Sequence, residues 1–140
     1  MNVKHRIEGV DAFRDDLKRL AKDLDDGDVM RDAHYAIGQL VVDSAASKAN
    51  ALGRMEAKAA KSLRAGRAKN SASVTIGGAS SPFALGAEFG SNRFSQFRPW
   101  RGSGKGAGYW LWPAVRAEDR AIERVYEQAI DKATARAFPD

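Results

Sequence analysis

Residues 102–106 read Gly-Ser-Gly-Lys-Gly, a run that could wrap around a phosphate group. The phosphate loop of nucleoside triphosphatases requires a Gly five positions before its Gly-Lys pair and a Ser or Thr directly after the Lys. Pro99 and Gly106 stand at those two positions. The looser dinucleotide-binding spacing is present, but no predicted strand precedes it and no predicted helix follows it. These glycines therefore indicate a flexible loop.

Acidic and imidazole side chains could bind a metal, and neither group has the required spacing. The acidic run 23–28 resembles a calcium loop, but its Gly falls at position 5 instead of 6 and His34 stands where the loop needs Glu. His5 and His34 are far apart, and the chain has no Cys. No Ser lies in an elbow-type motif. The sequence predicts a helix cap and turn at 23–28, and no metal, cofactor or enzyme site.

A third group of residues interleaves cations with aromatic rings. Single-stranded nucleic-acid binders use this mixture for stacking and phosphate contacts. Protein interfaces use it in their hot spots. A loop that folds its aromatic side chains back onto the domain would have the same composition. The sequence leaves all three interpretations open for Arg93, Phe94, Phe97, Arg98, Trp100, Arg101 and Lys105.

The charge of the chain is concentrated in its middle. The net charge over 140 residues is +5, but residues 51–112 hold 10 Lys and Arg against 2 Asp and Glu. Such a block is typical of contact with nucleic acid or with an acidic protein surface, and it also suits a solvated segment. The length fits one domain. No apolar run approaches the roughly 20 residues of a membrane span, and we expect a soluble, intracellular protein without membrane partners.

The first half of the chain has the spacing of helices. Apolar residues recur every three or four positions from Val10 to Leu24, which predicts one amphipathic helix. A second helix is predicted from about Val29 past Lys48, with Gly53 as a mild breaker. Residues 2–8 alternate loosely and suit a short edge strand. Turn and charge signals dominate residues 64–72, where we expect a flexible basic segment.

The second half predicts short elements and a last helix. Residues 73–78 read as a strand closed by a Gly pair, and residues 83–89 as a strand or a helical turn. Residues 91–108 lack a period and predict a long, flexible basic loop. Residues 109–112 could be a strand, and Pro113 suits the first turn of a helix running to about Ala137. The fold class expected is α+β, with a small, mainly antiparallel sheet packed on two or three helices, including the long C-terminal one.

Two short motifs flank the basic loop. The first is Ala87-Glu88-Phe89-Gly90, and the second is Trp110-Leu111-Trp112-Pro113-Ala114 at the start of the last helix. Together with the order of elements over nearly the whole chain, they resemble the head–tail joining proteins of long-tailed bacteriophages. These are variously called neck, tail-completion or tail-terminator proteins. In many relatives the loop is compact and Phe is common where Trp110 stands, so the long basic loop is a departure.

The resemblance implies a structural role without catalysis. It implies a ring, usually of six copies, between the head-side connector or stopper protein and the tail tube protein, with DNA passing through. The chain would then be made in the host cytoplasm and reside in the virion, at the head–tail junction. Trp110 and Trp112 are two apart, so on a strand both would face one side, and we expect a neighbouring subunit to cover at least one of them partly.

The expected sites follow from this resemblance and from the charge pattern. The residues expected to set subunit and ring packing are Glu88, Phe89, Gly90, Trp110, Trp112 and Pro113. Those expected to contact a partner ring, or transiently the DNA in the channel, are Arg93, Phe97, Arg98, Trp100, Arg101 and Lys105. The alternative function is a basic nucleic-acid-binding module.

Overall fold

The computed structural model describes residues 12, 14–22, 28–79, 81–102, 104 and 106–138. Within these residues the chain is mostly helical, with six helices and one two-stranded antiparallel sheet. In chain order the elements are α1 (14–22), α2 (Asp28–Leu52), α3 (Arg54–Ala60), β1 (Arg64–Ala65), β2 (Val74–Thr75), α4 (Ala84–Phe89), α5 (Leu111–Ala117) and α6 (Asp119–Ala137).

Helix α2 is the central element, and it contacts α3, α5, α6 and both strands. Its inward face carries small side chains, with Ala45 and Ala49 completely buried, so neighbouring backbones approach closely. A methyl group at Gly38 would lie 2.9 Å from the Cβ of Ala65 in β1. The sheet therefore rests on α2 at a point where only Gly leaves enough room.

The core has two parts. The larger gathers α2, α3, α4 and α5 around Trp110, whose side chain is fully buried together with Leu63 and several alanines. The smaller joins Val29 and Ala33 of α2 to Ala129 and Ala133 of α6, with Leu20 of α1 against it. Because most of these residues are Ala, the single buried Trp supplies much of the apolar area of the larger part.

Several sequence predictions are confirmed. The second helix begins at Asp28 and ends at Leu52, and Gly53 separates it from α3. Helix α1 lies within the range predicted for the first helix. The strand predicted at 73–78 is present as Val74–Thr75, and 83–89 takes the helical alternative. The strand predicted at 2–8 lies outside the described residues.

Two predictions about the second half are wrong. Residues 109–112 do not form a strand, because Leu111 already begins α5 and a carboxylate from α4 satisfies the backbone there. The last helix is not continuous, because Glu118 leaves helical geometry and separates α5 from α6. The Ile122 N–H still donates to the Glu118 carbonyl, which keeps the two helices joined end to end.

The sheet is smaller than expected. In the described part of the chain it contains only β1 and β2, paired antiparallel with Arg64 opposite Thr75. Strand β1 lies in a segment for which the sequence predicts no regular structure. Helices therefore dominate the described fold, and the sheet is an antiparallel pair on one side of α2.

Candidate functional site

The two motifs that flank the basic loop meet at one carboxylate. Glu88, near the end of α4, is 1% exposed. Its Oε1 accepts hydrogen bonds from the backbone N–H groups of Tyr109, Trp110 and Leu111 at 2.7, 2.9 and 3.1 Å. Its Oε2 accepts the N–H of Trp112 at 2.7 Å. We call this arrangement the Glu88 joint.

The Glu88 joint places a negative charge where helix α5 begins. The first N–H groups of a helix have no partner within the helix, and the peptide dipoles make this end positive. Residue 110, at the cap position, makes no side-chain hydrogen bond to the N–H groups of the first turn. The remote carboxylate therefore does what a capping side chain normally does, and its hydrogen bonds offset the cost of burying its charge.

Trp110 adds a second connection between the motifs. Its indole N–H donates to the Ala87 carbonyl at 3.2 Å, and the side chain is fully buried. Among the described residues, no buried side-chain nitrogen or oxygen lacks a hydrogen-bond partner. The interior around Glu88 and Trp110 is therefore a closed polar network inside an apolar core.

Two glycines allow close approaches of the backbone, one at the Glu88 joint and one at the base of the loop. Gly108 has φ +86°, and a methyl group there would lie 2.8 Å from the Glu88 carboxylate. Gly90 has φ +80°, and a methyl group there would lie 2.2 Å from the Pro99 carbonyl oxygen. Both a positive φ and the lack of a side chain are needed, because each backbone turns beside a group that cannot move away.

The loop between the motifs is fastened at both ends. The Ser91 N–H donates to the Arg98 carbonyl at 2.8 Å, and the Arg101 N–H donates to the Phe89 carbonyl at 2.9 Å. The Phe97 ring lies over Gly86 of α4, where a methyl group would come within 2.6 Å of it. This part of the loop folds one aromatic side chain back onto the domain, as one of the three interpretations expected.

Two of the loop cations are bound within the chain. Arg98 donates from Nε to the buried Glu56 carboxylate at 3.0 Å and from Nη2 to the Leu52 carbonyl at 2.8 Å. It thereby satisfies a carbonyl at the end of α2 and pairs with the first turn of α3. Arg101 lies over the Tyr109 ring, 4.1 Å from its centroid. These two cations hold the loop in place.

Three other side chains of the loop face solvent. Phe94 is 50% and Trp100 is 55% exposed. Arg93 is exposed and lies over the Phe94 ring, 5.3 Å from its centroid. Lys105 lies outside the described residues. The loop therefore presents two aromatic side chains and one stacked cation on a tethered backbone.

An apolar groove of about 450 Å³ opens elsewhere on the surface. Its walls come from α2, β2, α4, α5 and α6, and most of its surface is apolar. Leu85, at its margin, is 58% exposed, which is unusual for a Leu beside other apolar side chains. The groove is lined chiefly by Ile37, Val41, Val74, Ile76, Leu85, Phe89, Leu111, Trp112, Val115, Ile122 and Tyr126.

The residues expected at a subunit interface divide into two groups. Glu88 and Trp110 are buried inside the chain, so no neighbouring subunit is needed to cover Trp110. Gly90 is buried as well. Phe89 and Trp112 line the groove and are accessible from outside. The first group stabilises the fold of the chain itself. Contact with another subunit stays a prediction for Phe89, Trp112 and the half-buried Pro113.

Sequence reasoning missed three features of the site. Glu56, which holds Arg98, was visible as one of only two acidic residues in the basic block. Gly108 precedes the second motif and could have been counted with it. The groove had no sequence signal, because its walls come from five separate elements.

Comparison with protein-family models, with curated proteins and with solved structures finds no match to this chain. Within the described ranges, no helix is both long and apolar enough to cross a bilayer. In the same ranges, no three His, Asp or Glu side chains cluster as a metal site would require. The features left for a functional argument are the Glu88 joint, the tethered aromatic loop and the apolar groove.

Proposed function

We propose that this chain is a structural virion protein that forms a ring at the head–tail junction of a long-tailed phage, as a neck or tail-terminator protein. The observation that carries the proposal is the Glu88 joint. The two motifs of the resemblance, 87–90 and 110–114, lie 20 residues apart in sequence and are linked by three of the four hydrogen bonds that one carboxylate accepts. A resemblance in two unrelated short motifs would be weak, whereas these residues form one structural unit.

The exposed surfaces support an assembly role. The groove and the aromatic loop leave several large apolar side chains in contact with solvent, and exposed apolar patches often mark sites of protein interaction. Phe94 and Trp100 are each at least half exposed on a backbone that is already held in place. Pre-ordered aromatic side chains bind partners well, because little conformational entropy is lost on contact.

The partners in this proposal are other copies of the chain, the head-side connector or stopper protein and the tail tube protein. The ring, six copies in the family it resembles, would carry DNA through its centre. The role is not enzymatic and uses no cofactor. The surplus of basic residues in 51–112 would face either a partner ring or the phosphate groups of that DNA.

Assembly with the tail tube tests this proposal. The purified chain is mixed with the tail tube protein encoded by the same phage genome, and the products are separated by size exclusion and imaged in negative stain. We expect rings stacked on the ends of tubes. The control is the tube protein of an unrelated phage, which should remain unstacked. If neither rings nor tube-bound particles form with the matching tube, the proposed function is wrong.

The alternative is a basic nucleic-acid-binding module, and the exposed Arg93, Phe94 and Trp100 favour it. A phosphate-driven binder loses affinity steeply with salt, with a log–log slope of about −0.7 per neutralised phosphate on single strands. The test compares Arg93→Ala with wild type for both DNA affinity and assembly on the tube. Loss of DNA binding with intact assembly would show that the chain binds DNA through this loop independently of assembly.

A further inference from the structure

Helix α3 and the start of β1 expose only cations to solvent. Between residues 54 and 64 the exposed side chains are those of Arg54, Lys58, Lys61 and Arg64, and every other side chain is buried or half-buried. We call these four residues the α3 basic face. We propose that the α3 basic face binds the phosphate backbone of duplex nucleic acid. This inference goes beyond the proposed function, because it concerns a surface of the single chain and does not depend on ring formation.

The spacing of the first three cations suits a row of phosphates. Positions 54, 58 and 61 are four and three residues apart, which places them on one side of α3, opposite the buried Glu56. From 54 to 61 a helix rises about 10 Å. One strand of duplex DNA carries a phosphate about every 3.4 Å along the axis, so this distance spans about three phosphates.

No acidic side chain among the described residues neutralises the α3 basic face. Glu56 is the only Asp or Glu between residues 44 and 87. It is buried, and its carboxylate accepts a hydrogen bond from Arg98 at 3.0 Å. The ion pairs within the described residues all involve cations outside this face. The positive charge of the α3 basic face is therefore available to a ligand.

Helix stability does not explain the three cations of α3. Arg54 is the first residue of α3, where the peptide dipoles make the helix end positive and disfavour a cation. Arg54 and Lys58 are four residues apart, and Lys58 and Lys61 are three apart. Like charges at these spacings repel each other on the surface of a helix. An anionic ligand would remove both penalties.

Two of the four cations are held in place by the chain. Arg64 donates from Nη1 to the carbonyls of Lys61 and Leu63 at 2.8 and 2.7 Å. The Lys58 ammonium lies over the Phe83 ring, 5.6 Å from its centroid. Neither contact neutralises the positive charge, so both cations still attract an anion. Because their side chains are already positioned, they lose less conformational entropy on binding than free side chains would.

The chemistry of the α3 basic face favours nucleic acid over an acidic protein surface. The centre of a protein interface is depleted in charge and enriched in aromatic side chains. None of the large exposed apolar side chains of the described residues lies between 54 and 64. Unpaired bases would require exposed aromatic rings for stacking, which this face lacks. Cations alone bind the backbone whatever its sequence, and we therefore expect a duplex.

A triple variant, Arg54→Gln with Lys58→Gln and Lys61→Gln, tests this inference. Gln has nearly the same helix propensity as Arg and Lys, and the substitutions relieve the repulsion between like charges. Folding should therefore be intact, which circular dichroism and thermal melting check. Arg64 is left unchanged, because its bonds to two carbonyls contribute to the local structure.

Fluorescence anisotropy with a labelled duplex of mixed sequence measures the affinity between about 50 and 200 mM salt. Each lost phosphate contact should reduce the log–log slope by about 0.9, so the slope of the triple variant should be smaller by about 2.7. Over this fourfold range of salt, the affinity of the wild type should therefore fall about 40-fold more than that of the triple variant. A second duplex of different sequence should bind equally well.

The matched control removes three exposed cations from α6, as Arg120→Gln with Arg124→Gln and Arg136→Gln. It has the same net charge as the triple variant, and its slope should stay within about 1 of the wild type. If both variants reduce the slope equally, net charge alone explains the binding and the inference is wrong. It is also wrong if the wild type does not bind the duplex, or binds a polyglutamate peptide more tightly. Assembly of the wild type on the tail tube reports on the proposed function separately.

Discussion

Replacing Glu88 by Gln tests whether the Glu88 joint stabilises the fold. The side chain keeps its size but loses its charge and exchanges one oxygen for an NH₂ group. Because Oε1 accepts three N–H groups and Oε2 accepts one, the amide oxygen would remain at the first position. The NH₂ group would then face the N–H of Trp112, with two donors opposed and no acceptor between them.

The expected loss of folding stability can be estimated from these hydrogen bonds. A hydrogen bond to a charged group contributes about 1.5–3 kcal/mol and a neutral one about 0.5–1.5 kcal/mol, while a buried donor left unpaired costs about 1–3 kcal/mol. Bonds that share one acceptor are not additive. We therefore expect Glu88→Gln to lower the free energy of unfolding by about 3 kcal/mol, a large part of the roughly 5–15 kcal/mol of a typical domain.

Urea unfolding followed by circular dichroism and by tryptophan fluorescence measures this loss. The midpoint should fall at unchanged m-value, and the melting temperature should drop by about 10 °C. The matched control is Glu127→Gln on the exposed face of α6, which should stay within about 0.5 kcal/mol of wild type. If Glu88→Gln also lies within that range, the carboxylate does not stabilise α5 and the reasoning fails.

Three further changes test other parts of the site. Gly90→Ala should cost about 2 kcal/mol more than Gly104→Ala in urea unfolding, because both have positive φ but only the first would place its methyl group against a backbone oxygen. Arg98→Ala should destabilise by about 2 kcal/mol and Arg93→Ala by under about 0.5 kcal/mol in the same assay, since the first leaves a buried carboxylate unpaired. Trp110→Phe should cost about 2 kcal/mol, checked by thermal melting against the same change at the exposed Trp of the loop.

The helices were largely predictable from sequence, and the sheet and the site were less so. Helix α2 has a long apolar period, and Gly53 ends it as expected. Strand β1 is two residues long and has no periodic signal, because it exists only through its pairing with β2 across 8 residues of irregular chain. A strand of this length is specified by its partner and by the helix beneath it.

The segment 109–112 also shows that a local sequence pattern can mislead, because here the pattern predicts a strand that does not form. Two Trp residues and a Leu in succession are typical of a buried strand, and the sequence gives no cap for a helix there. The cap comes from Glu88, more than 20 residues earlier, so the local pattern could not reveal it. The loop was predictable as irregular and basic, but the tethering of Arg98 and Arg101 depends on groups from other elements.

The sequence by itself determined the first two helices and the helical character of the C-terminal segment, the concentration of positive charge between residues 51 and 112, and the two motifs on either side of the loop. These are properties of spacing and composition, and they need no knowledge of distant contacts. Only the tertiary structure decided that Glu88 and Trp110 are buried, that Arg98 and Arg101 have partners within the chain, and that the groove exists. The physical reason is that a buried carboxylate, a paired guanidinium and a recess are each defined by groups that lie far apart in sequence and meet only when the helices pack.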